Sequence, residues 1–372
     1  MDLGDYRLLC HWSNVLSSLL SVAPTVEENP FHQHLTPMVN DAAGPLRYTV
    51  LFMAAEHLAA LHGQQSWETQ TLHYHNLAIR SLSEALQDPN EAASDSTLAT
   101  VLLMQLSTYF ASDQDPRASH LVAAECIIRK RWSSSSWDSP CWRFLLSLFR
   151  YRDIMSSISD GSRPLLYGYA AAAVESEQLL GGITSLLELI SQISVLQSQK
   201  KSIMTTADDE PSDFPFLAVA SALETELGRW TAPSSEPDWV NTAEAYRHAT
   251  FIYLYRVIYN IGTPHPVTIR HVQRCRDALR AVPVESPLTS VHVWPLFTAG
   301  CESSDLADRA FYRQRLKDMY DHRKLRSLAR VRMAMEDVWV QKDTEAQRGL
   351  EHVFQLDCID VLKQRGRVIE LG

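Results

Sequence analysis

Apolar residues recur at intervals of three and four along nearly the whole chain, which is the pattern of helices that bury one face. A clear example is the stripe formed by Leu51, Ala54, Ala55, Leu58 and Leu61. Strict alternation of apolar and polar residues, which indicates β-strands, is scarce. The pattern therefore predicts an all-α protein: an irregular array of a dozen or more helices in a single large domain over residues 1–372.

Breaks rich in Pro, Ser, Asp and Gly separate the predicted helices. The later helices are predicted at residues 98–109, 118–128, 141–158, 183–196, 216–230, 242–261, 267–281, 291–301, 307–322, 327–340 and 345–364. No period repeats at fixed length, which argues against a regular solenoid. The longest polar break, residues 205–215, predicts a flexible loop rather than a domain boundary.

Composition changes this picture little, because 45% hydrophobic and 21% charged residues are ordinary for a globular protein. The net charge of −10 makes the chain as a whole a poor binder of polyanions, so nucleic-acid binding would need a local basic patch. The most basic stretch, Arg309–Arg332, carries nine Arg and Lys. Its apolar residues also follow helical spacing, so we interpret it as solvated helix faces. An anionic ligand or partner is the alternative.

The N-terminus and the hydropathy pattern predict a soluble, intracellular protein that is neither secreted nor membrane-bound. Asp2 and Asp5 occupy the place where a signal peptide carries positive charge. No segment approaches the ~18 uninterrupted apolar residues of a membrane-spanning helix.

The motifs of common enzyme classes are absent, and no metal or cofactor is predicted. The phosphate-binding loop, the dinucleotide fingerprint, the nucleophile elbow and the zincin motif do not occur. No two of the six cysteines are closer than fifteen residues, which excludes C-x-x-C sites and favours free thiols. The acidic run Asp208–Glu210 lies beside prolines in a predicted loop, where solvated charge is favoured over a Mg²⁺ site.

A set of distinct short segments follows a characteristic order along the chain. These are residues 8–12, 29–37, 51–61, 75–86, 95–103, 120–124, 151–154, 180–182, 223–230, 245–249, 252–256 and 293–302. The sharpest are Leu223-x-x-x-Leu227-x-x-Trp230, Ala245-Tyr246-Arg247-His248-Ala249 and Ile252-Tyr253-Leu254-Tyr255-Arg256, while Ala123 stands where glycine is usual. The set resembles the fungal-specific transcription factor domain, the helical regulatory region that usually follows a zinc-cluster DNA-binding module.

The resemblance covers nearly the whole chain and implies a fungal source, an all-α array and transcriptional regulation in the nucleus. The zinc cluster of the family needs six cysteines with C-x-x-C spacing, and this sequence has none of that spacing. We therefore expect no direct DNA binding by this chain through the family's mechanism.

Three interpretations stay open at this point. The sequence is a fragment that lacks an upstream module, or a stand-alone regulator that acts through a protein partner. Otherwise it is a stand-alone cytoplasmic enzyme of fungal secondary metabolism that uses a helical pocket for a cofactor-free cyclisation or cycloaddition.

Five aromatic residues, Tyr246, Phe251, Tyr253, Tyr255 and Tyr259, crowd one predicted helix. They either pack in the core or line a cavity for a small apolar metabolite. Within such a cavity, the candidate polar lining comes from the segments that match the family: His120, Tyr151, Asp153, Tyr253, Trp294 and Glu302. For each of these residues a core or capping role is the alternative, and no catalytic residue is assigned.

Overall fold

A computed structural model describes residues 3–41, 43–63, 67–110, 120–132, 139–168, 181–206, 214–349, 353 and 356–372. Every regular element in these residues is helical, which confirms the all-α prediction. Fifteen helices are numbered here: α1 Leu3–His11, α2 Thr36–Asp41, α3 Pro45–His62, α4 Glu68–Ala85, α5 Asp95–Leu106, α6 Leu121–Trp132, α7 Pro140–Asp160, α8 Thr184–Thr206, α9 Phe214–Arg229, α10 Pro237–Val257, α11 Pro266–Ala281, α12 Val293–Cys301, α13 Leu306–Arg323, α14 Arg326–Ala346 and α15 Cys358–Gln364.

The chain divides into two compact units, and the first comprises Met1–Arg152, Gly168–Leu179 and Tyr320–Ser327. Its centre is α3, which packs along α4 and is buried over most of its length. Pro45 opens α3 at a position where a missing N–H costs nothing. Gly63 follows the last residue of the helix with a φ of 98°, a backbone angle that glycine adopts more readily than other residues.

Hydrogen bonds between polar groups connect three segments of the first unit: the N-terminal segment, α3 and the end of α13. The Nε2–H of His57 donates to the Arg323 carbonyl at 3.0 Å, so its Nδ1 accepts from His11 Nε2 at 2.8 Å. Arg323 in turn donates to the Leu19 carbonyl at 2.7 Å. The bonds pair buried polar groups that would otherwise destabilise the unit.

The second unit comprises Asp153–Tyr167, Leu180–Met319 and Leu328–Gly372. Helix α10 contacts α8, α9, α11 and α12, and it is buried from Ala249 to Arg256. Large aromatic side chains fill the surrounding core; those fully buried are Tyr246, Trp294, Phe297, Tyr312 and Trp339. The position of α10 explains why its aromatic residues are dense, since they face neighbours on several sides.

One detail of the predicted helix pattern is wrong. Residues 345–364 do not form one helix: α14 continues to Ala346, and α15 begins at Cys358. The Asp357 carboxylate caps this new start by accepting from the backbone N–H of Ile359 at 2.7 Å. The predicted loop at 205–215 falls mainly on residues 207–213, outside the described part of the chain, between the end of α8 and the start of α9.

The basic stretch Arg309–Arg332 is also less solvated than the sequence pattern predicts. Arg309 and Arg315 are buried in the second unit. Arg309 makes two bonds of 2.7 Å to Asp343, and Arg315 donates to the Val282 carbonyl at 2.7 Å. These arginines therefore hold helices together rather than form an open anion-binding face.

Candidate functional site

A buried carboxylate lies at the centre of the second unit. Glu302 follows the last residue of α12 and is 2% exposed. Its Oε1 accepts from Arg256 Nε at 2.9 Å, and its Oε2 accepts from Lys342 Nζ at 2.9 Å. The backbone N–H and the hydroxyl of Thr263 also donate to Oε2, each at 2.9 Å. One side chain thus joins α10, α12, α14 and the turn after α10; we call these four residues the Glu302 cluster.

Attraction outweighs desolvation in this cluster. Burial alone would raise the pKa of the Glu302 carboxyl, but Arg256, Lys342 and the Thr263 hydrogen bond together hold it far below its ordinary value. Burial lowers the pKa of Lys342, and Glu302 opposes that change. The carboxylate is therefore ionised and shared between two cations, which leaves the cluster with an excess positive charge.

Tyr253 anchors a second buried polar network, one helical turn before Arg256. Its hydroxyl donates to Gln197 Oε1 at 2.8 Å and lies 3.1 Å from Ser194 Oγ. Ser194 Oγ is in turn 3.2 Å from Ser157 Oγ, so α7, α8 and α10 share one line of hydroxyl contacts. Burial raises the pKa of the Tyr253 hydroxyl, which stays protonated.

Trp294 packs beside this network with its side chain fully buried. Its ring contacts Tyr246, with centroids 5.3 Å apart, and meets Tyr253 edge-on at 6.4 Å. The indole Nε1–H is buried and has no acceptor among the described residues. An unpaired buried donor is costly, so this N–H is a natural place for a ligand or water oxygen.

The structure brings together only part of the predicted lining set. Tyr253 and Trp294 touch, and Glu302 is connected to the same helix through Arg256. Asp153 belongs to the second unit, where its carboxylate accepts from the backbone N–H of Leu165 at 2.8 Å and of Leu166 at 3.1 Å. Those bonds hold the turn after α7.

His120 and Tyr151 belong to the first unit. The backbone N–H of His120 donates to Gln105 Oε1 at 2.7 Å. Burial, with a smaller contribution from His75, lowers the pKa of the His120 ring. Tyr151 is buried within α7. A ligand-binding role for the six residues stays a prediction.

A surface pocket of about 310 Å³ also lies in the first unit, between the start of α3 and one face of α4. It is lined by Ala43, Gly44, Tyr48, Leu77, Arg80, Ser81 and Glu84. None of the six predicted residues lines it. Within the described ranges, no group of three or more His, Cys, Asp or Glu is placed to hold a metal ion. None of the described helices combines the length and the apolar character needed to cross a membrane.

The sequence pattern missed the partners of Glu302 and Tyr253. Arg256 lies at the end of one of the segments that resemble the family, so the sequence provided some reason to single it out. No sequence pattern pointed to Lys342, Thr263, Ser194 or Gln197. Lys342 is 4% exposed in a helix rich in charge, where a solvated side chain is the ordinary expectation.

Two half-buried histidines connect α10 to α11. The Nδ1 atoms of His248 and His271 lie 2.9 Å apart, and His248 Nε2 lies 3.5 Å from Glu244 Oε2. Burial lowers the pKa of His248 to about 3 and that of His271 to about 4. The neighbouring charges add to this: His271, Arg247 and Arg274 act on His248, and Arg270 and Arg247 act on His271. Both rings are neutral near pH 7.

Comparison with known proteins identifies the protein family to which the chain belongs. The family model described as "Fungal specific transcription factor domain" matches residues 7–369. The chain is 24% identical over 228 residues to the "Pestheic acid cluster transcriptional regulator 3" of Pestalotiopsis fici, which covers 55% of this chain and 40% of that protein. It is 26% identical over 273 residues to the "Phomenoic acid biosynthesis cluster-specific transcriptional regulator" of Leptosphaeria maculans, covering 65% and 51%. No solved structure matches the chain.

The chain therefore belongs to the fungal-specific transcription factor domain family, as its ordered motifs indicated. The family and both relatives support a regulatory role, and none of these findings supports the enzymatic alternative. The chain spans about half or less of the length of the curated relatives it matches.

Glu302→Gln should lower the free energy of unfolding by about 3 kcal/mol, because it leaves Arg256 and Lys342 buried without their shared counter-charge. Urea unfolding followed by circular dichroism measures this. Glu84→Gln is the matched control: it removes the carboxylate of an exposed pair with Arg80, where we expect a loss below about 0.5 kcal/mol. Equal losses in the two variants would contradict a central role for the Glu302 cluster.

The chain should lose stability on acidification through the His248–His271 pair. The unfolded chain takes up protons below pH 6.5, whereas the folded rings stay neutral to about pH 4. The contribution is full above pH 6.5 and falls between these values, by on the order of 2 kcal/mol for each ring from pH 7.5 to pH 5.

Urea unfolding at a series of pH values tests this effect. The double variant His248→Asn, His271→Asn should show a shallower slope, because Asn replaces the Nδ1 atoms and does not titrate there. His73→Asn, at an exposed position, is the control. An unchanged slope in the double variant would show that the pair does not cause the effect.

Proposed function

We propose that this chain is the helical regulatory region of a nuclear regulator that controls a gene cluster of fungal secondary metabolism. The observation that carries the proposal is the family match over residues 7–369. Two relatives named as cluster regulators support the finer part, although the alignment covers only part of each.

The proposal assigns DNA contact to a protein partner or to another polypeptide segment. None of the six cysteines forms a C-x-x-C pair, and the net charge of −10 disfavours contact with the phosphate backbone. The guanidinium group of Arg309 binds Asp343, and that of Arg315 binds the Val282 carbonyl. These two arginines therefore do not form an open phosphate-binding face. Regulation then depends on how this helical region responds to a ligand or a partner.

A small apolar metabolite with one polar oxygen is the proposed ligand of the second unit. Trp294 supports this, because its unpaired N–H lies among the rings of Tyr246 and Tyr253. A ligand oxygen would satisfy that donor, and apolar ligand atoms would replace contacts among the rings. Such a ligand favours one packing of the surrounding helices over another, which is what a regulatory switch requires.

Deletion of the gene is the direct test of regulation. We expect transcripts of the neighbouring biosynthetic genes to fall together and to recover when the intact gene is returned. A returned copy with an early stop codon is the control and should not restore them. If the transcripts hold and a single pathway intermediate accumulates, the regulatory proposal is wrong and the intermediate points to an enzyme.

Trp294→Phe tests the ligand proposal in the same strain. It keeps an aromatic ring against Tyr246 but removes the N–H, so transcripts should fall by about tenfold at equal protein level. Trp230→Phe is the matched control, because that indole N–H already donates to Ser185 Oγ at 2.8 Å in an exposed setting. Unchanged transcripts in the Trp294→Phe strain would remove this N–H from the proposed site.

A further inference from the structure

The surface pocket of the first unit has the volume of a small-molecule site. It lies between the start of α3 and one face of α4 and encloses about 310 Å³. This volume is at the lower end of the range for ligand pockets. At about 30 Å³ for each water molecule, it has room for about ten water-sized atoms. The pocket therefore suits a small metabolite rather than a large one.

The inner lining of the pocket offers two hydroxyl groups and an apolar surface. Tyr48, Leu77 and Ser81 line it and are half-buried there. Within the described part of the chain, the Tyr48 and Ser81 hydroxyls form no hydrogen bond with another residue. Both hydroxyls are therefore available to a bound molecule, while Leu77 and the Tyr48 ring offer apolar contact.

An ion pair of two exposed side chains lies at the rim of the pocket. Arg80 Nε and Glu84 Oε1 are 3.4 Å apart, and the two side chains are 81% and 67% exposed. A pair so exposed contributes little to stability, so a ligand competes with it at small cost. Leu77 and Ser81 belong to the same face of α4, because residues three and four apart are neighbours on a helix surface.

We propose that this pocket binds a free amino acid with an apolar side chain. A zwitterion can lie antiparallel to the rim pair, with its carboxylate beside Arg80 and its ammonium group beside Glu84. A ligand with a single charge is repelled by one of these two side chains. The Tyr48 and Ser81 hydroxyls can bond to the same polar groups of the ligand, and its apolar side chain lies against Leu77.

This proposal concerns the first unit alone. Trp294 belongs to the second unit and does not line the pocket. The proposal therefore depends neither on the regulatory role nor on the metabolite proposed for Trp294.

The test titrates the full chain with L-leucine and follows the ligand by NMR. We expect saturable binding with a dissociation constant in the millimolar range, because the pocket is open and its charges are exposed. Two analogues each lack one charge: isocaproate has no ammonium group, and isoamylamine has no carboxylate. Each should bind more weakly than leucine, by about fivefold. Absence of saturable leucine binding would overturn the proposal, and so would equal affinity for either analogue.

Two variants assign the charges. Arg80→Gln should weaken leucine binding by about fivefold without weakening the binding of isoamylamine. Glu84→Gln should weaken leucine binding to a similar extent without weakening that of isocaproate. Arg163→Gln, at an exposed position of the second unit, is the control and should change neither.

A third variant distinguishes the two ligand proposals. Trp294→Phe should leave leucine binding unchanged, because that ring is not part of the pocket. Leucine binding that is lost in Trp294→Phe and kept in Arg80→Gln would place the amino acid at the other site, and the proposal for this pocket would be wrong.

Discussion

The ionised carboxylate of Glu302 is the constraint on which the second unit depends. A buried charge is tolerated only when hydrogen bonds and opposite charges replace the water it lost. Glu302 has both, since Arg256, Lys342 and Thr263 surround its two oxygens. These partners come from separate helices and one turn, so α10, α12 and α14 must meet in one arrangement for the charge to be satisfied.

The helices that hold that carboxylate also carry the residues of the proposed ligand site. One helical turn before Arg256, the Tyr253 hydroxyl contacts Gln197 and Ser194. The neighbouring Trp294 ring has a buried indole N–H without an acceptor among the described residues. A change in the packing of α10 would therefore affect both the aromatic rings and the Glu302 cluster, because Tyr253 and Arg256 lie on that helix.

The helical architecture is compatible with the low sequence identity between this chain and its relatives. The identity to the two curated relatives is only 24% and 26%, yet the family model matches almost the whole chain. Many sequences can supply helices with one apolar face, so such a domain tolerates wide divergence while its helix order is kept.

The sequence by itself determined the all-α class, most helix positions and the family, because three-and-four periodicity and ordered motifs are local properties. Tertiary structure decided the rest. Lys342 meets Glu302 only because α14 packs against the end of α12, and local charge patterns carry no trace of that distant contact. Arg309 and Arg315 are buried for the same reason. The break before α15 depended on the Asp357 cap, which outweighs the apolar spacing that suggested one continuous helix.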